Sequence, residues 1–225
     1  SQRVLFRSVD GVIVACVDFE AEEVKELLQS GIPVVTIDYI FNDKACVMSD
    51  NIRGMEQLVS YIIQCGHKKI AYIHGADSFV TRSRIGSFLR TMKRYGIETE
   101  DRYIREGIYH APDVSAKITH ELLSLEDRPT CIVYPDDFSC IGGINVIRSK
   151  GLTIPNDISV AGYDGQRIAR VIEPKITTYR QNTEQIGRVA ATKLVELIEQ
   201  PELALVERLD VQGELIRGCS VLSMK

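Results

Sequence analysis

The chain has 225 residues, of which 44% are hydrophobic and 26% charged, a composition typical of a folded globular protein rather than a disordered one. Its 27 lysines and arginines are outnumbered by 31 aspartates and glutamates, which gives a formal net charge of −4. A chain without a basic excess is not expected to hold nucleic acid by itself, and no apolar run approaches the roughly 20 residues of a membrane-spanning helix.

Short β-branched runs alternate along the chain with stretches whose apolar residues recur every three or four positions, the patterns of buried strands and amphipathic helices. In chain order, the predicted strands cover 12–14, 34–37, 46–48, 70–73, 103–108, 130–134, 158–161, 204–210 and 214–221. The predicted helices cover 21–29, the stretch between Asp50 and Gly66, 82–95, 114–125, 138–150 and 183–199. Because apolar strands that alternate with helices form parallel sheets covered on both faces, the pattern predicts a doubly wound α/β fold.

Ligands of such folds bind beyond the carboxyl ends of the strands, so the residues that follow each strand are candidates for a site. Several are carboxylates, and two arginines open the helix predicted at 82–95; the set comprises Asp38, Asp136, Asp137, Asp164, Arg82 and Arg84. Carboxylate acceptors and guanidinium donors at one rim suit a small polar ligand rich in hydroxyls or amides. The alternative for each aspartate is helix capping or turn formation, which we expect for Asp50 and Asp137 because each directly precedes a predicted helix.

The sequence lacks the motifs of the common catalytic and cofactor sites. No glycine-rich dinucleotide or NTP loop follows a strand, and neither a G-x-S-x-G elbow nor an H-E-x-x-H zinc motif occurs. We therefore predict no catalytic residues, no cofactor and no metal. Among the four histidines, His67 follows a helix end and is expected to satisfy terminal carbonyls, whereas His74, at a strand end, is a candidate for ligand contact.

The six cysteines occur without any C-x-x-C pair: Cys16, Cys46, Cys65, Cys131, Cys140 and Cys219. Several lie within apolar runs, so they are expected to be small buried hydrophobes with reduced thiols. This usage favours a cytoplasmic location.

Eight short segments form an ordered series that spans nearly the whole chain. The most specific is GLTIPNDISVAGYD at 151–164. The others are VDGVIV at 9–14, GIPVVTID at 31–38, VMSDN at 47–51 with Gly54, CGHKKIA at 65–71, Arg84 with Phe88, PTCIV at 129–133 with Asp136, Asp137 and Gly142, and PKITT at 174–178 with Gln181. In this order they resemble the effector-binding region of LacI/GalR-family transcriptional regulators, which is built like the type 1 periplasmic sugar-binding proteins.

The resemblance implies two doubly wound α/β subdomains joined by three hinge crossings, with a ligand in the cleft between them. It assigns 1–48 and 182–211 to the N-terminal subdomain, and 49–181 and 212–225 to the C-terminal one. It further implies that the family's helix-turn-helix headpiece and the first two strand–helix units of the N-terminal subdomain are not among these residues, so that this subdomain is partial.

The resemblance also assigns ligand contacts. Arg84 aligns with an arginine that reaches sugar hydroxyls or a ligand carboxylate, and Asp164 aligns with an acceptor for hydroxyl or ring N–H donors. Tyr109 aligns with an aromatic residue that can stack on a ring. Asp136 stands where the family frequently has asparagine, which removes a donor and adds an acceptor.

Three further residues are implied less directly. Asp38 and Gln181 occupy a cleft and a hinge position respectively, and Arg82 is a weaker candidate because it lies two residues from Arg84.

On this resemblance the chain is expected to be the effector-sensing core of a bacterial transcriptional regulator, with a sugar or sugar derivative as its ligand. In the family, a homodimer transmits subdomain rotation to paired headpieces that read operator DNA. Operator DNA would then be bound only through such a headpiece, and no membrane contact is expected. The alternatives are a solute-binding protein of a sugar transporter and an enzyme on a similar fold. The scattered cysteines and the segments at 66–70 and 154–164 favour the regulator.

Overall fold

A computed structural model describes residues 9–15, 22–41, 43–202 and 206–225. The chain divides into two compact units. The smaller unit comprises the described parts of Ser1–Asp50 and Asn182–Gln212, and the larger comprises Asn51–Gln181 and Gly213–Lys225. The chain therefore passes from one unit to the other three times.

The smaller unit, within the part of the chain that the structure describes, is a parallel sheet with two helices. Its strands, in spatial order, are β1 (Val12–Val14), β2 (Val34–Ile37), β3 (Ala45–Ser49) and β9 (Arg208–Val211), and all three pairings are parallel. The helices are α1 (Glu22–Gln29) and α7 (Thr183–Glu199). Leu27 and Leu28 of α1 pack on Val14 and Val34 of the sheet, whereas α7 packs on β2 and β3 through Ile186 and Ala190.

The larger unit contains a six-stranded sheet in the order β10-β8-β7-β6-β4-β5. The strands are β4 (Ile70–His74), β5 (Ile104–Glu106), β6 (Cys131–Val133), β7 (Ser159–Asp164), β8 (Thr177–Arg180) and β10 (Glu214–Ile216). All pairings are parallel except that of β10, which lies antiparallel to β8 at the edge. The helices are α2 (Asn51–Gln64), α3 (Phe79–Arg94), α4 (Pro112–Leu123), α5 (Asp137–Ser149) and α6 (Arg167–Val171).

The central strands of the larger unit are buried on both faces because successive side chains alternate between two clusters. In β4, Ile70 and Tyr72 belong to the cluster formed with α2 and α3, whereas Ala71 and Ile73 belong to the cluster formed with α4 and α5. The Tyr72 ring stacks on Phe88 of α3 with the ring centroids 5.2 Å apart. This two-sided burial accounts for the uninterrupted apolar runs, and the predicted doubly wound α/β fold is confirmed.

Four elements differ from the sequence prediction. α3 begins at Phe79 rather than at 82, because Ser78 is its N-cap and its Oγ accepts a hydrogen bond from the Thr81 backbone N–H at 3.0 Å. The strand predicted at 103–108 is preceded by a 3₁₀ turn at Asp101–Tyr103 and is limited to β5. The sequence pattern does not predict β8 or α6, which are four and five residues long. The predicted positions 21, 204 and 205 lie outside the described residues.

No helix in the described ranges combines the length and apolar character that crossing a membrane requires.

Candidate ligand-binding site

Arg84 is a buried cation on α3, held beyond the carboxyl ends of the strands of the larger unit. Its Nε donates to Asn51 Oδ1 at 2.8 Å and its Nη1 donates to the Pro135 carbonyl at 3.2 Å. The guanidinium carbon lies 3.7 Å from the centroid of the Tyr163 ring, a distance at which a cation is attracted to an aromatic face. Because arginine stays charged when buried, these contacts fix a positive charge and its donors in one place.

Asp164 ends β7 and faces this cation, with Oδ1 3.8 Å from Arg84 Nη2. Gln181 donates from Nε2 to the same oxygen at 2.5 Å, and its backbone N–H donates to the Asp164 carbonyl at 3.2 Å. The backbone of Asp164 has a φ of 93°, which is uncommon for a residue other than glycine and costs about 1–3 kcal/mol. The turn after β7 is therefore held in a strained conformation that directs a carboxylate toward Arg84.

Tyr109 completes the group that the structure brings together. Its ring centroid lies 5.8 Å from the guanidinium carbon of Arg84, and its hydroxyl is 2.9 Å from Thr81 Oγ1. The ring lies so close to the backbone of Gly75 that a Cβ there would come within 2.0 Å of it. Four of the predicted residues, Arg84, Asp164, Tyr109 and Gln181, thus form one cluster, which we call the Arg84 cluster; whether they bind a ligand stays a prediction.

Asp136 is buried at the start of α5 and caps that helix, which is not the environment expected of a residue that contacts a ligand. It is completely buried and is the N-cap of α5, with Oδ1 accepting from the Ser139 backbone N–H at 2.7 Å. Its Oδ2 accepts from the His110 backbone N–H at 2.8 Å and from Ser139 Oγ at 2.9 Å. The prediction that Asp137 caps this helix is wrong, because the extended residue with the capping side chain is Asp136.

Arg82 lies apart from the Arg84 cluster, and Asp38 belongs to the other unit. Arg82 is exposed and donates from Nη1 to both carboxylate oxygens of Asp77 at 2.7 Å. Asp38 belongs to the smaller unit, where its backbone N–H donates to the Val47 carbonyl at 3.1 Å and its φ is 62°. Its role as a ligand contact stays a prediction carried by the resemblance.

Tyr163 and Asn51 are not predicted from the sequence as residues of the site, and Asp137, one of the carboxylates after the strands, is expected there to be a cap. Tyr163 and Asn51 hold Arg84 in place. Asp137, the first residue of α5, is completely buried and accepts a hydrogen bond on Oδ2 from the Gln166 backbone N–H at 2.6 Å. The adjacency of two aspartates after a strand is the only sequence signal that could have pointed to it.

The histidines and cysteines are largely structural. His67 is buried and bridges Thr130 Oγ1 at 2.9 Å and the Leu222 carbonyl at 3.1 Å, whereas His74 Nδ1 lies 2.8 Å from the Gly75 carbonyl oxygen. Four cysteines are buried as free thiols, Cys46, Cys65, Cys131 and Cys140. Cys219 is exposed, contrary to the prediction, and Cys16 lies outside the described residues. Among the described residues, no group of three or more His, Cys, Asp or Glu side chains could hold a metal ion.

A groove of about 570 Å³ lies on another face of the larger unit, lined by residues of α2, the end of α3 and β10, including Tyr61, Arg94 and Arg217. None of the predicted site residues lines it. Arg94 is paired there with Glu56 at 2.7 Å. The Arg84 cluster differs from this groove in containing a buried charge with fixed partners, a feature that is common at functional sites.

Comparison with known proteins identifies the family. A profile of the periplasmic binding protein-like domain matches residues 59–221. The HTH-type transcriptional repressor PurR of Mannheimia succiniciproducens is 30% identical over 220 residues, which are 96% of this chain and 65% of that protein. A LacI-family regulatory protein from Chloroflexus aggregans is 31% identical and superposes with a TM-score of 0.86, covering 97% of this chain and 79% of that one. The complex of transcriptional regulator CelR with cellobiose is 26% identical, with a TM-score of 0.86 over 97% of this chain and 69% of that one.

The chain spans less than two thirds of the length of the PurR relative. These relatives are transcriptional regulators and not enzymes, which confirms the prediction that the chain is not an enzyme. Their similarity extends over almost all of this chain and agrees with the parallel sheets and the motif order described above. The chain therefore belongs to the periplasmic-binding-protein-like family and corresponds to the effector-binding region of the LacI/GalR family.

Proposed function

We propose that this domain senses a sugar or sugar derivative that binds at the Arg84 cluster. The observation that carries the proposal is the buried Arg84 guanidinium facing the Asp164 carboxylate beside the rings of Tyr109 and Tyr163. A charged pair that is neither fully exposed nor isolated from solvent is typical of a ligand site rather than of a surface ion pair.

The chemistry of the cluster suits a polyhydroxylated ring. Tyr109 offers an aromatic face, on which the C–H face of a sugar ring can pack. Asp164 Oδ2 accepts no hydrogen bond among the described residues, so it can receive a ligand hydroxyl, and Arg84 Nη2 can donate to a ligand oxygen. Support for the sugar class comes from the CelR relative, whose structure contains cellobiose.

A ligand screen with site variants tests this proposal. Thermal unfolding of the 225-residue chain would be followed with monosaccharides, cellobiose, sugar phosphates, nucleosides and amino acids. A sugar that binds the folded state should stabilise it by about 2.7 kcal/mol at 100 times its Kd. Asp164→Asn should weaken the binding of that sugar about ten- to a hundredfold, because a charge-assisted hydrogen bond is worth roughly 1.5–3 kcal/mol.

Arg82→Gln is the matched control, since Arg82 is exposed and its one ion-pair partner within the described ranges is Asp77. It should leave the sugar affinity unchanged. A stabilising ligand whose affinity is unaffected by both Asp164→Asn and Arg84→Lys would contradict the assignment of the ligand to this cluster. A screen in which only nucleosides or amino acids bind through these residues would contradict the sugar class alone.

The regulator is proposed to act in the cytoplasm as a homodimer that binds operator DNA through a headpiece. A ligand can shift such a protein only by its different affinity for two conformations. The test uses the longer protein: its affinity for operator DNA should change when the ligand is present. If it binds no DNA with or without ligand, the solute-binding alternative is favoured instead.

A further inference from the structure

Asp137 is a buried carboxyl group that is not among the residues proposed above to contact the ligand. Its side chain is completely buried in the first turn of α5. Oδ2 accepts the Gln166 N–H bond, but Oδ1 has no hydrogen-bond partner among the described residues. A Cβ at Gly162 would lie 2.2 Å from Oδ1, so this oxygen is packed against the backbone of β7. An unpartnered carboxylate oxygen in such a place is costly to bury.

Asp137 also fixes the turn that carries Asp164. Asp164 and Gly165 have φ values of 93° and 68°, so two successive residues adopt the left-handed region. The next residue, Gln166, is tied to α5 by its N–H bond to Asp137, and the Gly165 N–H donates to Thr178 Oγ1 at 3.2 Å. The position of the Asp164 carboxylate therefore depends on a hydrogen bond made by Asp137.

The charges around Asp137 are mostly negative. Asp136 precedes it and Asp164 approaches it from β7, whereas the Cys140 thiol on the same helix is neutral because burial raises its pKa. The cation of the cluster, Arg84, is placed 3.8 Å from Asp164 rather than against Asp137. The charged side chains of α4 and α6 include Asp113, Lys117, Arg167 and Arg170, and these four are exposed. Ionisation of Asp137 thus adds a third carboxylate to a site with one buried guanidinium.

Burial raises the pKa of Asp137 to about 7. This pKa already includes the opposing effect of hydrogen bonding to Thr178 and Gln166, which lowers it, and smaller upward contributions from the carboxylates of Asp164 and Asp136. The group is consequently close to half ionised at neutral pH, where small changes in pH alter the charge of the site.

We propose that Asp137 is a positioning residue whose protonation state sets the conformation of the turn at 164–166, so that the presentation of Asp164 responds to pH near neutrality. When Asp137 is neutral, the turn holds Asp164 toward Arg84. When it ionises, the hydrogen bond from the Gln166 N–H becomes stronger while the new charge repels the carboxylates of Asp136 and Asp164, and the Asp164 carboxylate moves in response. This inference extends the proposed function. It rests on that function only for the identity of the ligand that Asp164 contacts.

The test needs no ligand and can therefore fail or succeed independently of the sugar screen. The backbone amide resonances of Gly165 and Gln166 would be followed by NMR in the 225-residue chain between pH 5 and 9. We expect one transition with a midpoint near the Asp137 pKa of about 7. Asp137→Asn should abolish it, because the asparagine oxygen can accept the Gln166 N–H bond but the side chain cannot ionise.

Two controls separate Asp137 from its neighbours. Asp157→Asn should leave the transition unchanged, because Asp157 is an exposed carboxylate that accepts from Thr153 and has a lowered pKa. His110→Gln should also leave it unchanged; this control is needed because His110 Nδ1 lies 3.6 Å from Asp136 Oδ1.

Persistence of the transition in Asp137→Asn, or its loss in His110→Gln, would overturn the proposal. If Asp137→Asn does not fold, the carboxyl ¹³C resonance of Asp137 in the unmodified chain decides the matter. A midpoint near 7 supports the proposal, and a midpoint near the ordinary aspartate value of 3.8 contradicts it.

Discussion

At the scale of single residues, the start of α5 shows how strongly one position along the chain changes the role of a carboxylate. Asp136 has an extended backbone, with φ −157° and ψ 170°, so its side chain can turn back to the first N–H groups of the helix. Asp137 is already helical, and its side chain contacts Gly162 of β7 and accepts a hydrogen bond from Gln166 in the turn after that strand. Identical side chains on adjacent residues thus differ in their partners.

Asp136→Ala is expected to lower the free energy of unfolding by about 1–3 kcal/mol. The substitution removes a helix cap and leaves the His110 N–H without its acceptor. Urea denaturation would measure the loss. Asp77→Ala should change stability by less than about 0.5 kcal/mol, since its pairing with Arg82 is exposed; an equal effect of the two substitutions would refute the capping role.

Gly75→Ala tests the close approach of the Tyr109 ring. The added Cβ would come within 2.0 Å of that ring, so the ring must move and the affinity for a ligand that stacks on it should fall. Gly86→Ala on α3 is the control, because its Cβ would meet only the flexible end of Arg90 at 3.0 Å. That change should stabilise the helix by about 0.5–1 kcal/mol and leave ligand affinity intact. Equal ligand affinities in the two variants would argue against stacking on Tyr109.

At the scale of elements, α3 places two arginines in opposite environments. Arg82 and Arg84 are two residues apart, which corresponds to about 200° around a helix. Arg84 therefore points into the larger unit while Arg82 reaches solvent and Asp77. The direction of both depends on where the helix begins, and its N-cap at Ser78 fixes that start.

Ser78→Ala is expected to destabilise the chain by about 1 kcal/mol, because it removes the acceptor of the Thr81 N–H bond at the start of α3. Thr81 also contacts the Tyr109 hydroxyl, so any ligand that stacks on Tyr109 should bind more weakly. Ser83→Ala, within the same helix, should be neutral or slightly stabilising. Thermal unfolding of both variants, compared with the unmodified chain, provides the measurement; no difference between them would contradict the role of the cap.

At the scale of the whole molecule, hydrogen bonds of one histidine join three distant parts of the chain within the larger unit. His67, just before β4, reaches Thr130 and the Leu222 carbonyl near the C-terminal end. Since a carbonyl can only accept, Nε2 carries the proton and Nδ1 accepts from the Thr130 hydroxyl. Burial lowers the pKa of His67 below its ordinary 6.5, so the neutral form is the one that the fold stabilises.

His67 and Asp137 should have opposite effects on how the free energy of unfolding changes with pH. Below pH 6.5 the unfolded chain binds a proton at His67 that the folded chain does not, so this residue makes stability fall as pH decreases. Asp137 is protonated more readily in the folded chain, with a pKa of about 7 against 3.8 unfolded, so its contribution is present at low pH and is lost as pH rises through 7.

Urea denaturation between pH 5 and 8 should therefore show a shallow profile for the unmodified chain. In Asp137→Asn only the His67 effect remains, and stability should fall more steeply toward pH 5. In His67→Gln the Asp137 effect remains, and stability should rise toward pH 5. His120→Gln, a substitution at an exposed histidine, should retain the original profile. Identical slopes in the first two variants would contradict this assignment.

The sequence by itself determined the class of fold, the order of most elements and the family. These depend on short-range properties: the period of apolar residues, the turn chemistry of glycine and proline, and motifs read in order. The division of the chain into N-terminal and C-terminal subdomains stays a prediction of the resemblance.

Only the tertiary structure decided which polar residues act together. It buries Arg84 against Tyr163 and the Pro135 carbonyl, makes Asp136 a cap, and leaves Asp137 with an unpartnered oxygen beside Gly162. The partners in these contacts are mostly 25 to 80 residues apart along the chain. Neither the periodicity of apolar residues nor the spacing of motifs can therefore predict them. Ionisation depends on burial and on the charges nearby, and both are created when distant strands and helices pack together.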